Sequence, residues 1–400
     1  MKKDRQNLVF GILAALLCGA FPVLTSSSLA WAKTNQTLTI HYVERIVERP
    51  PVLSNLHAPP DDQGLLGARL GVNDVNAGGE FTGHKVKLIE HILPVGGDLA
   101  AVGEQLGGDD TLILVNLPAQ DLLTFAELPW AKSALIFNIG SPDDALRQKN
   151  CRNNILHTLP SRAMLTDALA QFLVLKRWRR WFLIEGVHTG DKLFASAVRR
   201  SAEKFGAKIV QEKQWRFDAD MRRNAQAEVP PFTQGAEHDV IVVADEIQDF
   251  GEYILYHSWL PRPVVGTQGL RPVAWHTVIE QWGASQLQSR FMKLSGRPMN
   301  SIDYAAWLAV TALGEGLVRA DVSGAKDSKT YLLSNEFRLA AFKGRQLSFR
   351  PWSGQMRQPI PLVHLGALVS TSPQLGFLHQ RTDLDTLGFD TTGEKQCGSD

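Results

Sequence analysis

Arg271, Trp275, His276 and Trp282 all fall within one short stretch, 266–291, GTQGLRPVAWHTVIEQWGASQLQSRF. A guanidinium pairs with carboxylates, an imidazole adds a donor or second cation, and indole faces stack on flat rings. The set suits a flat, anionic, conjugated ligand. Further candidates stand where predicted strands end or helices begin. Arg45 follows the first strand, Arg162 lies in the first turn of a helix whose free N–H groups also favour an anion, and His188 follows a later strand. Asn138 offers an amide donor, and Trp130 joins Trp282 as a stacking face. The chain has no G-x-S-x-G elbow, P-loop or H-E-x-x-H, and its histidines are scattered, so neither catalysis nor a metal is expected.

The elements that position these residues alternate between strand and helix. Apolar strand patterns at 38–44, 85–92, 111–117 and 134–138 are separated by helical segments, the first of which has Asp61 or Asp62 as its cap and Gly78-Gly79 as its stop. After an extended connection, Ser161 caps a helix and the alternation resumes, with strands at 181–184, 208–215, 240–244 and 263–266. Ser285 and Gln288 read as a capping box, residues 304–319 as a late helix and 360–369 as a last strand. This pattern predicts an α/β protein of two doubly wound parallel-sheet lobes, 33–158 with a late return segment and 159–350, with 351–400 as a C-terminal strand and tail partly returning to the first lobe. Ligands of such sheets bind outside the carboxyl ends of the strands, which places the cleft between the lobes.

A length of 400 residues supports two domains, and 44% hydrophobic with 21% charged residues is a globular composition. Lys2, Lys3 and Arg5 precede an apolar run, and Ala30-Trp31-Ala32 offers a cleavage site, so residues 1–32 read as a secretory signal peptide. Without it the charges nearly cancel, which argues against nucleic acid as a partner. Two cysteines then remain, Cys151 and Cys397, and an even count in an exported chain predicts a disulfide between them. A monomer is expected.

In its order of elements the chain resembles the type I periplasmic solute-binding proteins of the leucine/isoleucine/valine-binding class. The resemblance rests on Asn76-Ala77-Gly78-Gly79, the crossover at Ser161 and the helix YAAWLAVTALGEGLVRA at 304–320. VVADEIQDFGEY at 242–253, WLPRPVVGTQGL from Trp259, AWHTVIEQWGASQLQSRF at 274–291 and DTLGFD at 385–390 are similar to a subgroup associated with alcohol dehydrogenase systems that depend on pyrroloquinoline quinone (PQQ). That resemblance implies a periplasmic protein, not an enzyme, that binds PQQ and serves an ABC-type permease or the PQQ-dependent dehydrogenase. The amino-acid binders hold the ligand carboxylate with hydroxyl residues after a first-lobe strand. Here that place reads Asn116-Leu117-Pro118-Ala119. Asp245-Glu246 is available for an ammonium, so an amino-acid binder of an ABC transporter, or a ligand sensor, stands as the alternative.

Overall fold

The computed structural model describes residues 36–389, except 52, 57, 107, 218–220 and 222, together with Cys397. The segment expected to be a signal peptide lies outside the described residues. The chain begins with β1 (Gln36–Arg45), α1 (Leu65–Thr82), β2 (His84–Leu93), α2 (Leu99–Val102), β3 (Leu112–Asn116), α3 (Ala119–Ala126), β4 (Leu135–Asn138) and β5 (Ile155–His157). It crosses into α4 (Arg162–Leu175), β6 (Arg180–Glu185), α5 (Thr189–Phe205), β7 (Lys208–Gln214), α6 (Ala225–Thr233), β8 (Val240–Ala244), α7 (Gly251–His257), β9 (Val264–Gly266) and β10 (Leu270–Pro272). It returns through α8 (Ala284–Ser295), α9 (Ser301–Ala320), α10 (Ala325–Leu332), β11 (Leu339–Ala340), β12 (Gln346–Phe349) and β13 (Met356–Arg357). It then crosses a last time into β14 (Ile360–His364) and β15 (Ala367–Ser372).

Two large sheets result, ordered β2-β1-β3-β4-β5 and β15-β14-β10-β9-β8-β6-β7, together with a small antiparallel one, β11-β12-β13. The first is parallel throughout. In the second, the pairs from β10 to β7 are parallel, while β14 is antiparallel to both of its neighbours. The strands are apolar on both faces because both faces are covered. Leu112 and Leu114 pack into one core with α1 and α9, while Ile113 and Val115 pack into another with α3. β6 and β8 divide in the same way: Leu183 and Val242 lie in one core, Ile184 and Val243 in the other. This is the α/β two-lobe architecture that the alternation predicts.

The packing divides the chain differently from the expected boundary. Trp275 and Ile279, Leu287 and Phe291 of α8, Trp307 and Leu308 of α9, Leu332 of α10 and Met356 of β13 share the first lobe's core, so the return to that lobe begins by about residue 274 and runs to 357. The reason is one long-range helix contact: α1 and α9 approach so closely that a Cβ on Gly67 would lie 2.0 Å from the Asp303 carbonyl oxygen. Conversely, β14 and β15 extend the second sheet, and Leu387 packs in the second lobe's core.

Two local expectations also change. Helix α1 runs through Gly78-Gly79 and stops at the left-handed Gly83, because Gly79 is where the helix passes over β2, with room for no side chain against the His84 carbonyl. Gly64, not Asp61 or Asp62, stands at its N-cap. The capping box at Ser285 does not form, since α8 starts at Ala284 behind the left-handed Gly283 and the Ser285 hydroxyl donates to the Glu280 carbonyl. Cys151 and Cys397 are joined by a disulfide that holds the far C-terminus to the first lobe, with Cα atoms 5.4 Å apart.

Candidate functional site

The carboxyl ends of β1, β3 and β4 face the N-termini of α4 and α5 across a cavity of about 740 Å³, a size suited to a small molecule. Its first-lobe wall is the run after β1, the Asn116–Ala119 turn and the Gly140–Asp143 turn. Arg162, Thr189, Gly190 and Leu193 supply the second-lobe wall. Ser161 fixes the start of α4 by accepting a hydrogen bond from the Met164 N–H at 3.2 Å. Asp191 ties the start of α5 to the loop after β8, accepting from the N–H groups of His188 and Glu246 at 3.1 and 2.7 Å. Burial, reinforced by the nearby charge of Asp245, raises the Asp191 carboxyl to about 6.

The cleft floor is polar. Glu44 is buried at the end of β1, with its two carboxylate oxygens accepting from the Tyr42 hydroxyl at 2.7 Å and the Asn116 amide at 3.1 Å. Burial pushes the Glu44 carboxyl up from its ordinary value, and burial together with the Glu44 charge pushes Tyr42 up as well. The rim is aliphatic. Ile46, Val47 and Ile92 from the first lobe and Leu193 from the second line the cavity, and all four are exposed.

Three of the sequence candidates meet in or beside this cleft. Arg45 lines it and is ion-paired to Asp121 of α3. Arg162 also lines it, but its guanidinium is held in a two-point pair with Glu246, both contacts 2.7 Å, and lies 3.8 Å from Asp143. Arg271 opens onto an adjoining cavity of about 380 Å³ that shares Gly140, Pro142, Arg162 and Ile302 with the first. It has no hydrogen-bond or ion-pair partner among the described residues, and burial lowers its pKa. His276 is half-buried nearby; burial first and the Arg271 charge second lower its pKa, so at neutral pH it is not the second cation expected.

The other candidates do not join them. Trp275 is 2% exposed and stacks on Tyr304 with ring centroids 4.4 Å apart, so it belongs to the first lobe's core. Trp130 packs edge-on against Phe125 and covers Gly103. Trp282 is half-exposed beside Gly344, away from the cavity lining. His188 lies 3.3 Å from Asp249 and faces a different cavity, beside Trp215 and Phe250. Of the indoles expected to form a ligand-stacking wall, Trp275 and Trp130 therefore pack in the first lobe's cores, while Trp282 stays half-exposed. Asn138 is likewise engaged within the fold, donating to the Ser141 carbonyl at 2.8 Å.

Residues 58–250 match the family model described as periplasmic binding protein. No curated protein matches the chain. Among solved structures, a branched-chain amino acid ABC transporter periplasmic ligand-binding protein from Burkholderia xenovorans superposes with a TM-score of 0.65 at 15% identity, over 84% of this chain and 95% of that one. The chain has the type I periplasmic binding protein fold. A leucine-, isoleucine-, valine-, threonine- and alanine-binding protein from Brucella ovis gives 0.61 at 15% identity, over 89% and 94% of the two chains. An ABC transporter solute-binding protein from R. palustris, in complex with benzoate, gives 0.59 at 12%, over 83% and 95%.

In a two-lobed binding fold the connections between lobes matter as much as the cleft, and this is where sequence reasoning missed most. Three connections cross, at 158–161, 273–283 and 358–359. Arg147 is buried among them and spends its donors on Gln355 at 2.9 Å and on the carbonyls of Ser141, Asp143 and Leu159. Gln355 and Gln358 bind the 157–159 backbone in turn. Nothing in the local pattern around Arg147 distinguishes it from a solvated charge. A strap after β1 adds further contacts between the lobes, since the Leu53 carbonyl accepts from the Tyr253 hydroxyl at 2.9 Å and the Asn55 N–H donates to Glu252 at 2.9 Å.

Both acids proposed for an ammonium in the second lobe are committed elsewhere. Asp245 accepts from the N–H groups of Asp249, Phe250 and Gly251, at 2.7–2.9 Å, and Glu246 is paired with Arg162. Glu44 and Tyr42 were legible as a strand end, not as a site.

Proposed function

We propose that this protein is a periplasmic solute receptor of an ABC-type transport system that closes its two lobes over a small solute with an apolar body. The observation that carries this reading is the aliphatic rim contributed from both sides of the cleft, by Ile46, Val47 and Ile92 on one lobe and Leu193 on the other. Closure over a solute removes this surface from water and favours the closed, loaded state. The similar proteins whose names give branched-chain amino acids or benzoate support solutes of this size and character. The test is calorimetric titration of the mature protein with leucine, isoleucine, phenylalanine, benzoate and PQQ. Saturable one-to-one binding of a small apolar-bodied solute is expected, and silence across the amino acids and benzoate would overturn the reading.

A second reading, PQQ as the ligand for the alcohol-oxidation system, rests on Arg271, a half-buried cation in the adjoining cavity without a partner among the described residues. Against it, Arg45 and Arg162 already hold acids, and the stacking indoles lie elsewhere. On this reading PQQ binds tightly and Arg271→Met abolishes binding; failure of PQQ to bind removes it.

A further inference from the structure

We infer that the cleft floor binds the solute by a positively charged amine, held by the Glu44 carboxylate and the side-chain oxygen of Asn116. This rests on the receptor reading and adds the chemical class of the solute to it. Three observations carry the inference.

First, Glu44 is a carboxylate at the bottom of the cavity with no ion-pair partner among the described residues. Arg49, the charge that would offset it at longer range, donates to the Pro59 carbonyl at 2.9 Å and lies 3.9 Å from Asp61. Arg45 and Arg162 line the same cavity and are paired to Asp121 and Glu246. A buried carboxylate without a counter-ion is costly, and a ligand cation relieves that cost.

Second, the donors around it are used up. The Tyr42 hydroxyl points at Glu44, and the Asn116 N–H groups reach Glu44 at 3.1 Å and the Gln63 carbonyl at 3.3 Å. That orientation fixes the amide, because its nitrogen must face the carboxylate. The Asn116 oxygen is left without a hydrogen-bond partner among the described residues, beside Gly140 in the cavity lining. Beside Glu44 the Tyr42 hydroxyl and the Asn116 amide nitrogen are committed as donors, so what this corner presents is the Glu44 carboxylate and the Asn116 oxygen, which a group with several N–H donors and a positive charge matches.

Third, the two second-lobe acids that follow β8 are committed, Asp245 to backbone N–H groups and Glu246 to Arg162. The cation therefore docks in the first lobe, and the apolar body of the solute points toward Leu193.

The experiment compares amines with their deaminated counterparts by calorimetry: leucine with 4-methylpentanoate, phenylalanine with 3-phenylpropanoate, and 3-methylbutylamine as an amine without a carboxylate. Wild type should prefer the amine by about tenfold or more in Kd, the scale of one hydrogen bond to a charged group. Glu44→Gln should erase that preference while the unliganded protein melts no lower than wild type, because a buried unpaired charge has been removed. Asn116→Ala, which keeps the carboxylate, should reduce the preference without erasing it. If the deaminated acids bind as well as the amines, or Glu44→Gln retains the preference, the inference is overturned and the receptor reading stands. If no member of any pair binds, both are overturned.

Discussion

The aliphatic rim gives a prediction whose size can be worked from exposure. Leu193 is 38% exposed and Ile46 51% exposed, on opposite lobes of the cleft. Complete burial of such a side chain is worth roughly 1.5–3 kcal/mol. The fraction still in water then represents about 0.6–1.1 kcal/mol for Leu193 and about 0.8–1.5 kcal/mol for Ile46, if closure buries both. The double variant Ile46→Ala/Leu193→Ala should therefore bind leucine, or whichever amino acid wild type accepts, about ten- to eightyfold more weakly. Truncation to alanine leaves a Cβ behind, so the lower part of that range is favoured. Because both side chains are solvent-facing before closure, thermal melting of the unliganded protein should hardly change. Calorimetry of the ligand and a melt without it form the assay. Unchanged affinity would refute burial of the rim on closure, and an equal loss of unliganded stability would show that these residues act in the fold and not in binding.

Three further outcomes follow from particular contacts. Trp275→Ala should destabilise the protein by about 3–5 kcal/mol in denaturant titration, as a core truncation, whereas Trp275→Phe should cost clearly less because the indole N–H has no partner among the described residues to lose. Arg162→Met should lower stability by about 2–3 kcal/mol, since it leaves Glu246 partly buried and unpaired; equal melting of wild type and variant would contradict the role given to this pair. His41 is held neutral, its pKa lowered to about 4 by burial and by His91 at 2.9 Å. The unfolded state binds the proton more readily, so this site should cost stability as pH falls from about 6.5 to 4. Asp191, raised to about 6, acts with the opposite sign over part of that range. His41→Phe should thus flatten the loss of stability on acidification, and an unaltered pH profile would show that His41 is not its source.

The alternation of strands and helices was readable because each buried strand is a short apolar run and each helix carries its own stripe. Lobe membership was not, because it depends on which helix packs against which: α9 joins α1 through Gly67 and neighbouring small residues, a contact between segments far apart in sequence. The same limit applies to the site. Arg162 and Arg45 were found because strand ends and helix starts are local signals. Their acidic partners, Glu246 and Asp121, come from distant elements, so the charge balance that leaves Arg271 free and Arg162 occupied emerges only in three dimensions. Trp275 looked like a ligand wall beside Arg271, yet Arg271 sits within β10 and lines a cavity, whereas Trp275 lies beyond the end of that strand and is buried in the first lobe's core. Glu44 was passed over for the reverse reason, as a charged residue at a strand end that reads as solvated until the burial around it is seen.

Small-angle scattering of the mature protein, alone and with a saturating amino acid from the panel, tests the central claim most directly. A receptor that closes over its solute should show a smaller radius of gyration when loaded, with the change reduced in the Ile46→Ala/Leu193→Ala variant. A solute bound at saturation with no change in the scattering curve would contradict closure of the two lobes over the ligand.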